Sequence, residues 1–547
     1  MKQISNHAKV VTVAQMQRIE KDADAQGHGY GTMMEMAGQA VAQAVEEQYV
    51  GTCGPVLILV GPGNNGGDGL VCAYQLRTVG IPCRVYLWRR STAHTDDVGG
   101  HLGKLTAVEI EIAHADADED LRTLTTWVEE SEIIVDALLG TGNRRPIIGQ
   151  LASILSLLQA HRRSNQNRSA SPIQVVAVDC PSGLYCDSGE LDPLTLQADL
   201  TVTFGYSKWG HHIFPGLTAC GQVNVVNIGI PAALVDEALR DDGQTFLIQK
   251  SWVESLLPKR GANSHKGTFG KAMAAVGCVN YPGAAYLSLA AADRVGAGLV
   301  TGAVPQSIWS IVAAKLAEPT WLPLPDTSSG HLKAEGVSTI IDRLPGYDAL
   351  LFGCGLGQTA DTQSFIQALL GTSNLPPTVI DADGLNGLAQ LEMWSQYLPA
   401  QSILTPHPAE MSRLCNMSIA EVTAHRWALA RTKAAEWGTV ILLKGPYTVI
   451  ATPERHLAIL PIATPALATA GTGDILSGLI VGLLTQGMAP FEAACAAAWL
   501  HGQIGLRCEQ EIGVAGVIAS DLIARIPAEL SAAHKFGSAI DGNMSIS

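Results

Sequence analysis

Short aliphatic runs that favour β-strands alternate with amphipathic helical segments along almost the entire chain. The alternation falls into two blocks, roughly residues 10–230 and roughly residues 250–530. A chain that repeats strand and helix in this way predicts mainly parallel sheets with helices on both faces. Because 547 residues exceed what one hydrophobic core usually serves, we expect two α/β domains.

The predicted strands are short and evenly spread through both blocks. In the first block they are Val56–Val60, Cys83–Leu87, Glu132–Asp136, Gln174–Asp179, Leu200–Phe204 and Gln222–Ile228, with helices that include Val13–Gln26 and Leu70–Val79. In the second block they include Ala272–Val276, Leu299–Val304, Ala349–Phe352, Thr378–Ile380, Val440–Leu443, Thr448–Ala451 and His456–Leu460. The weakly periodic segment Ile230–Gln249 separates the blocks, and the polar segment Arg162–Ser171 is interpreted as a surface insertion.

Composition argues against several classes of function. The chain has 50 acidic and 35 basic residues, and this net charge of −15 disfavours a broad nucleic-acid or anionic-membrane surface. Its 11 cysteines are dispersed without a Cys-x-x-Cys pair, so we expect reduced thiols rather than a zinc site or disulfides. There is no apolar signal core and no run of ~20 apolar residues. We therefore expect a cytoplasmic protein that binds neither nucleic acid nor membrane.

Three segments rich in Gly, Asp and Asn follow predicted strands of the first block. They are Gly61–Gly69, Ala137–Pro146 and Asp179–Gly183. Since ligands of open α/β sheets bind beyond the carboxyl ends of the strands, we expect these segments to form one pocket. Ordinary turn chemistry would explain any one of them alone.

Hard oxygen ligands occur in each of these segments. Asn65, Asp136 and Ser182 suit a monovalent or alkaline-earth cation rather than zinc, and the residues themselves do not choose between the two. Asp179 is the best general acid or base of this half, because burial at a strand end would raise its pKa. The same spacing also fits an aspartate that caps a helix or braces a loop.

In the second block, Gly471-Thr472-Gly473-Asp474 precedes an apolar helical segment. The two glycines allow backbone N–H groups to turn toward a phosphate, and the helix dipole adds positive potential. Asp474 is positioned for proton transfer beside that phosphate. Lys444–Thr448 follows a predicted strand and supplies a cation and a hydroxyl for the rest of a nucleotide. A glycine turn that caps a core helix is the alternative interpretation.

Asn64–Asp68, Asp136–Gly142 and Asp179–Gly183 resemble the corresponding motifs of NAD(P)H-hydrate epimerase domains. That family interconverts the R and S forms of hydrated nicotinamide dinucleotides at C6 and binds K⁺. The resemblance implies that Asn65, Asp136 and Ser182 bind K⁺ and that Asp179 is catalytic. It also implies that the hydrate is bound by Asn64, Asn65, Gly66, Gly67, Asp68, Gly140, Thr141, Gly142, Asn143, Arg144, Arg145, Pro146 and Asp179.

The second block resembles ADP-dependent NAD(P)H-hydrate dehydratases of the ribokinase-like superfamily. The motifs that agree in order are Asn263–Gly267, Tyr281–Ala284, Gly353–Gly357, Asp381–Leu385, Leu404–Glu410, Lys444–Thr448 and Gly471–Asp474. The resemblance implies that Asp474 takes the proton of the C6 hydroxyl, with ADP as co-substrate and Mg²⁺ as cofactor. It implies a nucleotide site of Lys444, Gly445, Pro446, Tyr447, Thr448 and Gly473, and a hydrate pocket of Ala284, Gly355, His407 and Asp474.

Together these resemblances imply a repair enzyme for NADHX and NADPHX with two domains. A Rossmann-like three-layer α/β/α sandwich is expected at residues 1–232, a linker at 233–249 and a ribokinase-like α/β domain at 250–547. We also expect a homo-oligomer. The alternative is a ribokinase-like vitamin or sugar kinase fused to a dinucleotide-binding domain without catalytic activity.

Overall fold

The computed structural model describes residues 8–49, 54–90, 100–143, 145–166, 173–240 and 242–534. The described residues form two compact units, which divide between Asp242 and Gly243. The division falls inside the segment 233–249, which contains a helix of the first unit and a strand of the second. Across the described residues, no helix combines the length and the apolar character that crossing a membrane requires.

The first unit contains nine strands and eight helices among its described residues, excluding short 3₁₀ turns. In chain order they are β1 (Val10–Val11), α1 (Val13–Ala25), α2 (Tyr30–Gln48), β2 (Val56–Val60), α3 (Asn64–Thr78), β3 (Cys83–Leu87), α4 (His101–Ala107), β4 (Glu111–His114), α5 (Arg122–Glu130), β5 (Ile133–Ala137), α6 (Gln150–Gln166), β6 (Gln174–Val178), β7 (Leu200–Phe204), β8 (Ser207–Lys208), α7 (Gly216–Cys220), β9 (Gln222–Val226) and α8 (Ala232–Ala238).

Seven of these strands form one parallel sheet in the order β4-β3-β2-β5-β6-β7-β9. Val56, Ile58 and Val60 of β2 face a core shared with α1, α2 and α3, whereas Leu57 and Leu59 face a second core with α5 and α6. Successive side chains of the strand thus point to opposite faces, and helices cover both faces of the buried sheet. The predicted three-layer α/β/α sandwich is therefore confirmed.

The start of α3 differs from the prediction of a long loop followed by a helix at Leu70. The helix begins at Asn64, although the segment contains three glycines, which disfavour helices. Close packing explains the difference. A Cβ atom at Gly66 would overlap the carbonyl oxygen of Gly61, and one at Gly69 would lie 2.7 Å from Cβ of Ala137. The glycines allow the first turns of the helix to lie directly on the strand ends.

The second unit contains ten strands and twelve helices among its described residues. They are β10 (Thr245–Leu247), α9 (Lys250–Leu256), β11 (Lys271–Ala275), α10 (Pro282–Val295), β12 (Leu299–Pro305), α11 (Gln306–Ala313), β13 (Thr320–Leu324), α12 (Gly336–Arg343), β14 (Ala349–Phe352), α13 (Ala360–Leu370), β15 (Thr378–Ile380), α14 (Asp383–Leu388), β16 (Ile403–Leu404), α15 (Pro408–Cys415), α16 (Ile419–Ala424), α17 (Arg426–Trp437), β17 (Val440–Leu443), β18 (Val449–Ala451), β19 (Leu457–Ile459), α18 (Thr472–Thr485), α19 (Pro490–Ile512) and α20 (Ala519–His534).

These ten strands form one sheet in the order β10-β19-β18-β17-β16-β15-β14-β11-β12-β13. The pairings are parallel except where β18 runs antiparallel to β17 and to β19. Strand order reverses between β11 and β14. The strands β12 and β13 lie on the β11 side of this point, and β15 to β19 lie on the β14 side. In such sheets this switch point is where ligands bind, at the carboxyl ends of the strands.

Helix α18 packs very closely on α10, and glycine makes that approach possible. A Cβ atom at Gly478 would overlap the carbonyl oxygen of Ser288, and one at Gly482 would overlap Cγ1 of Val295. Both glycines are buried and lie one helical turn apart on the same face of α18. The start of α18, which carries Asp474, is thereby held against the rest of the unit.

We predict that Gly478→Val lowers the free energy of unfolding of the second unit by about 1–3 kcal/mol, because the added side chain forces α18 away from α10. Chemical denaturation measures the loss. Gly283→Ala is the matched control, since a Cβ atom at Gly283 in α10 meets nothing within 4 Å. Equal unfolding midpoints for Gly478→Val and the control would contradict the packing argument.

Candidate active sites

The first candidate site lies at the carboxyl ends of β2, β5 and β6, beside the point where strand order reverses between β2 and β5. The start of α3 follows β2, residues 138–143 follow β5, and Asp179 follows β6. The three predicted segments therefore converge at one edge of the sheet.

Asn65, Asp136 and Ser182 meet around the backbone of Leu139. The Asn65 amide donates to the Leu139 carbonyl at 3.0 Å, and the Leu139 N–H donates to Oγ of Ser182 at 3.0 Å. Ser182 in turn donates from Oγ to Oδ1 of Asp136 at 2.6 Å and from its backbone N–H to Oδ2 at 2.8 Å. These contacts hold three oxygen-bearing side chains in one cluster.

The cluster contains one fully buried carboxyl group, that of Asp136. Asp136 is 0% exposed, and its burial raises the pKa of the carboxyl group against the opposing effect of the Ser182 and Leu138 hydrogen bonds. Among the residues that the structure describes, no Lys, Arg or His forms an ion pair with Asp136. A small cation held by carboxylate, hydroxyl and amide oxygens would compensate this buried charge, so the donor set fits K⁺.

Asp179 has left-handed backbone geometry, with φ of 62°, directly after β6. Its Oδ1 atom accepts hydrogen bonds from Oγ1 of Thr203 at 2.8 Å and from Nζ of Lys208, with which it forms an ion pair. Burial opposes ionisation of Asp179, but the Lys208 ammonium and the hydrogen bonds outweigh it, so the pKa is lowered. The carboxylate is therefore ionised at neutral pH, and the expectation from the sequence that burial would raise the pKa of Asp179 is wrong, because the Lys208 charge is buried beside it.

Two further acids face this carboxylate and behave in the opposite way. Burial raises the pKa of Glu20 to about 7, with Lys208 opposing the shift and Asp179 adding to it. Burial raises the pKa of Asp68 well above its usual value, and the charges of Asp179 and Glu20 raise it further. Carboxyl groups whose environments separate their pKa values supply both a base and acids in one pocket.

The other residues predicted for the first site lie in the segments that follow β2 and β5. Asn64, Gly66 and Gly67 form the first turn of α3. Gly140 packs against Asn65, because a Cβ atom at Gly140 would lie 3.2 Å from Cβ of Asn65. Thr141, Gly142 and Asn143 follow in the same loop, and Arg145 and Pro146 are exposed. Arg144 lies outside the described residues.

The second candidate site lies at the carboxyl ends of β14, β15 and β17, opposite the start of α18. Lys444 follows β17 and donates from Nζ to Oδ1 of Asp381 at 2.8 Å, while Ser477 of α18 donates to Oδ2 at 2.7 Å. Burial opposes ionisation of Asp381, but the Lys444 charge and these hydrogen bonds lower the pKa overall. The ion pair joins the ends of β15 and β17, and the Ser477 hydrogen bond connects them to α18.

Asp474 lies in the first turn of α18, which Gly471 precedes in left-handed geometry with φ of 91°. One carboxylate oxygen of Asp474, one of Asp381 and the sulfur of Cys354 lie within 4.8 Å of one another. Burial, together with the charge of Asp381, raises the pKa of Asp474 to about 7, against the opposing effects of Cys354 and Lys444. A carboxyl group with such a pKa can accept a proton at neutral pH.

Glu410 and His407 extend this site through α15. Oε2 of Glu410 lies 3.8 Å from Nζ of Lys444 and accepts from the His407 N–H at 2.8 Å. His407 caps the helix, since its Nδ1 accepts from the N–H groups of Ala409 and Glu410. Burial raises the pKa of Glu410 to about 6. Glu410 was unassigned from the sequence, and the structure adds it to the charged cluster around Lys444.

The segment Lys444–Thr448 forms the turn between β17 and β18. Arg426 holds this turn by donating from Nη2 to the carbonyls of Leu443 at 3.1 Å and Lys444 at 3.2 Å, and from Nη1 to the carbonyl of Pro446 at 2.5 Å. Tyr447 has φ of 51°, and Thr448 donates to the Gly445 carbonyl at 2.8 Å. Gly473 faces the turn, because a Cβ atom there would lie 3.6 Å from Nζ of Lys444.

Ala284 and Gly355 contact each other at the same sheet edge. A Cβ atom at Gly355, which has φ of 65°, would lie 2.7 Å from Cβ of Ala284. Gly355 follows Cys354, which belongs to the cluster with Asp474. The structure therefore brings the predicted residues of the second site to one region.

Sequence reasoning did not single out Lys208, Glu20 or Ser477. Lys208 follows a predicted strand, as the other site residues do. Glu20 lies four residues after the buried Met16, on the apolar side of an amphipathic helix, where an acid is out of place. Within Ile475–Val481, Ser477 is the one polar side chain, and the other residues are aliphatic or glycine. These three features of the sequence are the signals that could have identified the residues.

Comparison with known proteins gives results for both units. A family model described as "YjeF-related protein N-terminus" matches residues 31–210, and one described as "NAD(P)H-hydrate dehydratase" matches residues 273–528. The bifunctional NAD(P)H-hydrate repair enzyme Nnr of Moorella thermoacetica is 35% identical over 95% of this chain and 96% of its own. The chain belongs to the bifunctional NAD(P)H-hydrate repair enzyme family. The family predicted from the sequence is confirmed.

Other members of the repair enzyme family match over a similar extent. The Nnr enzyme of Salinibacter ruber is 34% identical over 92% of each chain. The crystal structure of ADP/ATP-dependent NAD(P)H-hydrate dehydratase from Bacillus subtilis is 30% identical and covers 52% of this chain and 98% of its own, with a TM-score of 0.46. Because the Nnr relatives match across both units, they favour the repair enzyme over a kinase fused to an inactive domain.

The raised pKa of Asp474 predicts a cost in stability that depends on pH. The folded state binds the Asp474 proton more tightly than the unfolded state, so stability is lost as pH rises from the ordinary pKa of 3.8 to about 7. We expect Asp474→Asn to raise the free energy of unfolding by roughly 1–3 kcal/mol at neutral pH. Below the ordinary pKa the variant and the natural protein should unfold alike.

Chemical denaturation at neutral pH and at a pH below the ordinary pKa measures the difference in stability between Asp474→Asn and the natural protein. Glu392→Gln is the control, because Glu392 is an exposed carboxylate of the same unit. A gain in stability of Asp474→Asn that is equal at acidic and neutral pH would argue against the raised pKa.

Proposed function

We propose that this chain repairs hydrated nicotinamide dinucleotides at two separate sites. The first unit epimerises R- and S-NAD(P)HX at C6, and the second dehydrates S-NAD(P)HX to NAD(P)H at the expense of ADP, giving AMP and phosphate. The observation that carries the proposal is the match to bifunctional NAD(P)H-hydrate repair enzymes over nearly the whole chain. The two charged sites supply the groups that each reaction requires.

In the first unit, the ionised Asp179 is the proton acceptor next to the reacting ring. Glu20 and Asp68, whose pKa values are raised, are suited to donate protons in the same pocket. The N–H groups at the start of α3 and in the loop after β5 bind the phosphates of the dinucleotide. Asn65, Asp136 and Ser182 hold K⁺, which when bound compensates the buried charge of Asp136 next to an anionic substrate.

In the second unit, Asp474 accepts the proton of the C6 hydroxyl while that oxygen takes the terminal phosphoryl group of ADP. AMP is released, phosphate then leaves C6 with the electron pair of the C6–O bond, and C5 gives up a proton to the released phosphate, so that the C5–C6 double bond is restored. The N–H groups at the start of α18 stabilise the charge on the transferring phosphoryl group, and the helix dipole adds to this effect. Lys444 holds Asp381 ionised beside Asp474, which keeps the pKa of Asp474 raised.

The nucleotide is bound by Lys444–Thr448 and Gly473, on a turn that Arg426 keeps in shape. Asp381 and Glu410 pair with the ammonium group of Lys444, and a carboxylate oxygen of Asp474 lies within 4.8 Å of one of Asp381. This set of oxygen donors fits Mg²⁺, which when bound neutralises phosphate charge. Ala284, Gly355 and His407 line the hydrate pocket. The choice of ADP over ATP, the homo-oligomer and the cytoplasmic location stay predictions.

The direct test follows NADH absorbance while purified protein acts on a mixture of R- and S-NADHX with K⁺, Mg²⁺ and either ADP or ATP. Recovery of the full NADH signal supports both activities and identifies the phosphoryl donor. Recovery that stops at the S fraction contradicts the epimerase assignment. If no NADH forms with either nucleotide, the dehydratase assignment is wrong.

We predict that substitutions at the two aspartates separate the two activities. Asp474→Asn should lower dehydration of S-NADHX by about 100-fold or more and leave epimerisation intact, because only the second unit loses its base. Asp179→Asn should do the reverse. Epimerisation is assayed with an excess of a separate dehydratase. Loss of both activities in either folded variant would contradict the assignment of one reaction to each unit.

The dehydration rate should also rise with pH through about 7, because Asp474 accepts a proton only after its own has dissociated. A profile of kcat against pH for S-NADHX and saturating ADP measures this midpoint. A rate that stays constant from acidic to neutral pH would exclude Asp474 as the base of the limiting step.

A further inference from the structure

We propose that Lys208 is a positioning residue for epimerisation: its ammonium group fixes Oδ1 of Asp179 and supplies the positive charge that keeps this carboxylate ionised beside two other acids. This inference rests on the proposed function of the first unit. It assigns a role to a side chain that lies behind the reacting carboxylate rather than in contact with the substrate.

Burial distinguishes the two partners of this ion pair. The Lys208 side chain is 1% exposed, whereas the Asp179 side chain is 15% exposed. Lys208 is thus shielded from a ligand that enters the pocket, and Asp179 is accessible to it. An ammonium group buried to this degree is costly unless it is paired and hydrogen-bonded.

The contacts of Lys208 compensate that cost and also determine where Asp179 points. Besides the ion pair, Nζ donates to Oγ1 of Thr203 at 2.9 Å and contacts the Phe204 carbonyl at 3.3 Å. Thr203 donates to the same Oδ1 atom of Asp179, and the Phe204 N–H approaches it at 3.4 Å. Because these donors converge on Oδ1, the second oxygen of the carboxylate is directed away from them.

The backbone of Lys208 is held from two sides. In the short parallel pairing of β1 with β8, Lys208 is the partner of Val11. The Lys208 N–H also donates to Nδ1 of His211 at 3.2 Å. The position of the ammonium group is therefore set by the fold, as a positioning role requires.

The charged surroundings of Asp179 explain why a buried cation is needed. The titratable groups that influence it come from several elements and are Glu20 of α1, Asp68 of α3, Lys208 of β8 and His211. Burial lowers the pKa of His211 to about 3, so its ring is neutral, and Arg90 influences Asp68. Without Lys208, Asp179 would share a buried pocket with two other acids and would take up a proton at higher pH.

The test compares Lys208→Met with Lys208→Arg. Lys104→Met is the matched control, because Lys104 also pairs with a carboxylate, Glu35 at 2.8 Å, but at an exposed position. We expect Lys208→Met to lower epimerisation at neutral pH by about 100-fold and to move the acidic limb of the pH–rate profile upward by about 1–3 pH units. Lys208→Arg should keep the limb in place, and Lys104→Met should change neither quantity.

Dehydration of S-NADHX by the second unit of the same preparation checks the protein, and circular dichroism checks the fold of the variants. A lower rate with an unchanged pH profile in Lys208→Met would overturn the proposal in favour of a structural role. A shift of the limb in Lys208→Arg as large as in Lys208→Met would also overturn it.

A second measurement does not depend on activity. The carboxyl carbon of Asp179 in protein labelled with ¹³C-aspartate, assigned by its loss in Asp179→Asn, should titrate at higher pH in Lys208→Met than in the natural protein. If the natural protein shows no epimerisation but the titration shifts, the proposed function fails and the role of Lys208 in ionising Asp179 stands. Equal titration in both proteins would contradict the role of Lys208 itself.

Discussion

A buried ion pair between a lysine and an aspartate at a strand end is the interaction on which both sites depend. In the first unit Lys208 pairs with Asp179, and in the second Lys444 pairs with Asp381. Burial raises the pKa values of these aspartates, and the ammonium groups together with hydrogen bonds reverse that effect. An ionised carboxylate in a dry pocket then raises the pKa values of its acidic neighbours. In both units, one lysine therefore determines which carboxyl groups carry a charge.

The two units differ in which aspartate is paired with the lysine. In the first, the paired Asp179 is the partly exposed member of the pair, and its charge acts on two acids with raised pKa values, Glu20 and Asp68. In the second, the paired Asp381 is buried, and the acid with the raised pKa is Asp474, at the start of α18. The same interaction thus accompanies a lowered pKa of Asp179 in one unit and a pKa of Asp474 raised to about 7 in the other.

Much of the fold follows from local sequence pattern. The strands β2, β3, β7, β14, β15 and β17 have the predicted bounds, because short runs rich in β-branched, aliphatic and aromatic residues favour strands. The strands β1, β4, β8, β10 and β16 were not among those named from the sequence, since two to four residues carry too weak a pattern. The five-residue strand β13 was not named either, and it contains Pro323, which disfavours a strand. The glycine-rich start of α3 looked like a loop because helix propensity is local, whereas its contacts with Gly61 and Ala137 are not.

The sequence by itself determined the family, the two α/β units and the strand-end segments in which the site residues lie, since these depend on motif order and hydrophobic period. Tertiary structure decided which of those residues meet and which are charged. Lys208 lies 29 residues from Asp179, and Lys444 lies 63 residues from Asp381. Whether such pairs form depends on sheet order and register, and the resulting pKa values depend on burial, a property of the packed chain that no local pattern specifies.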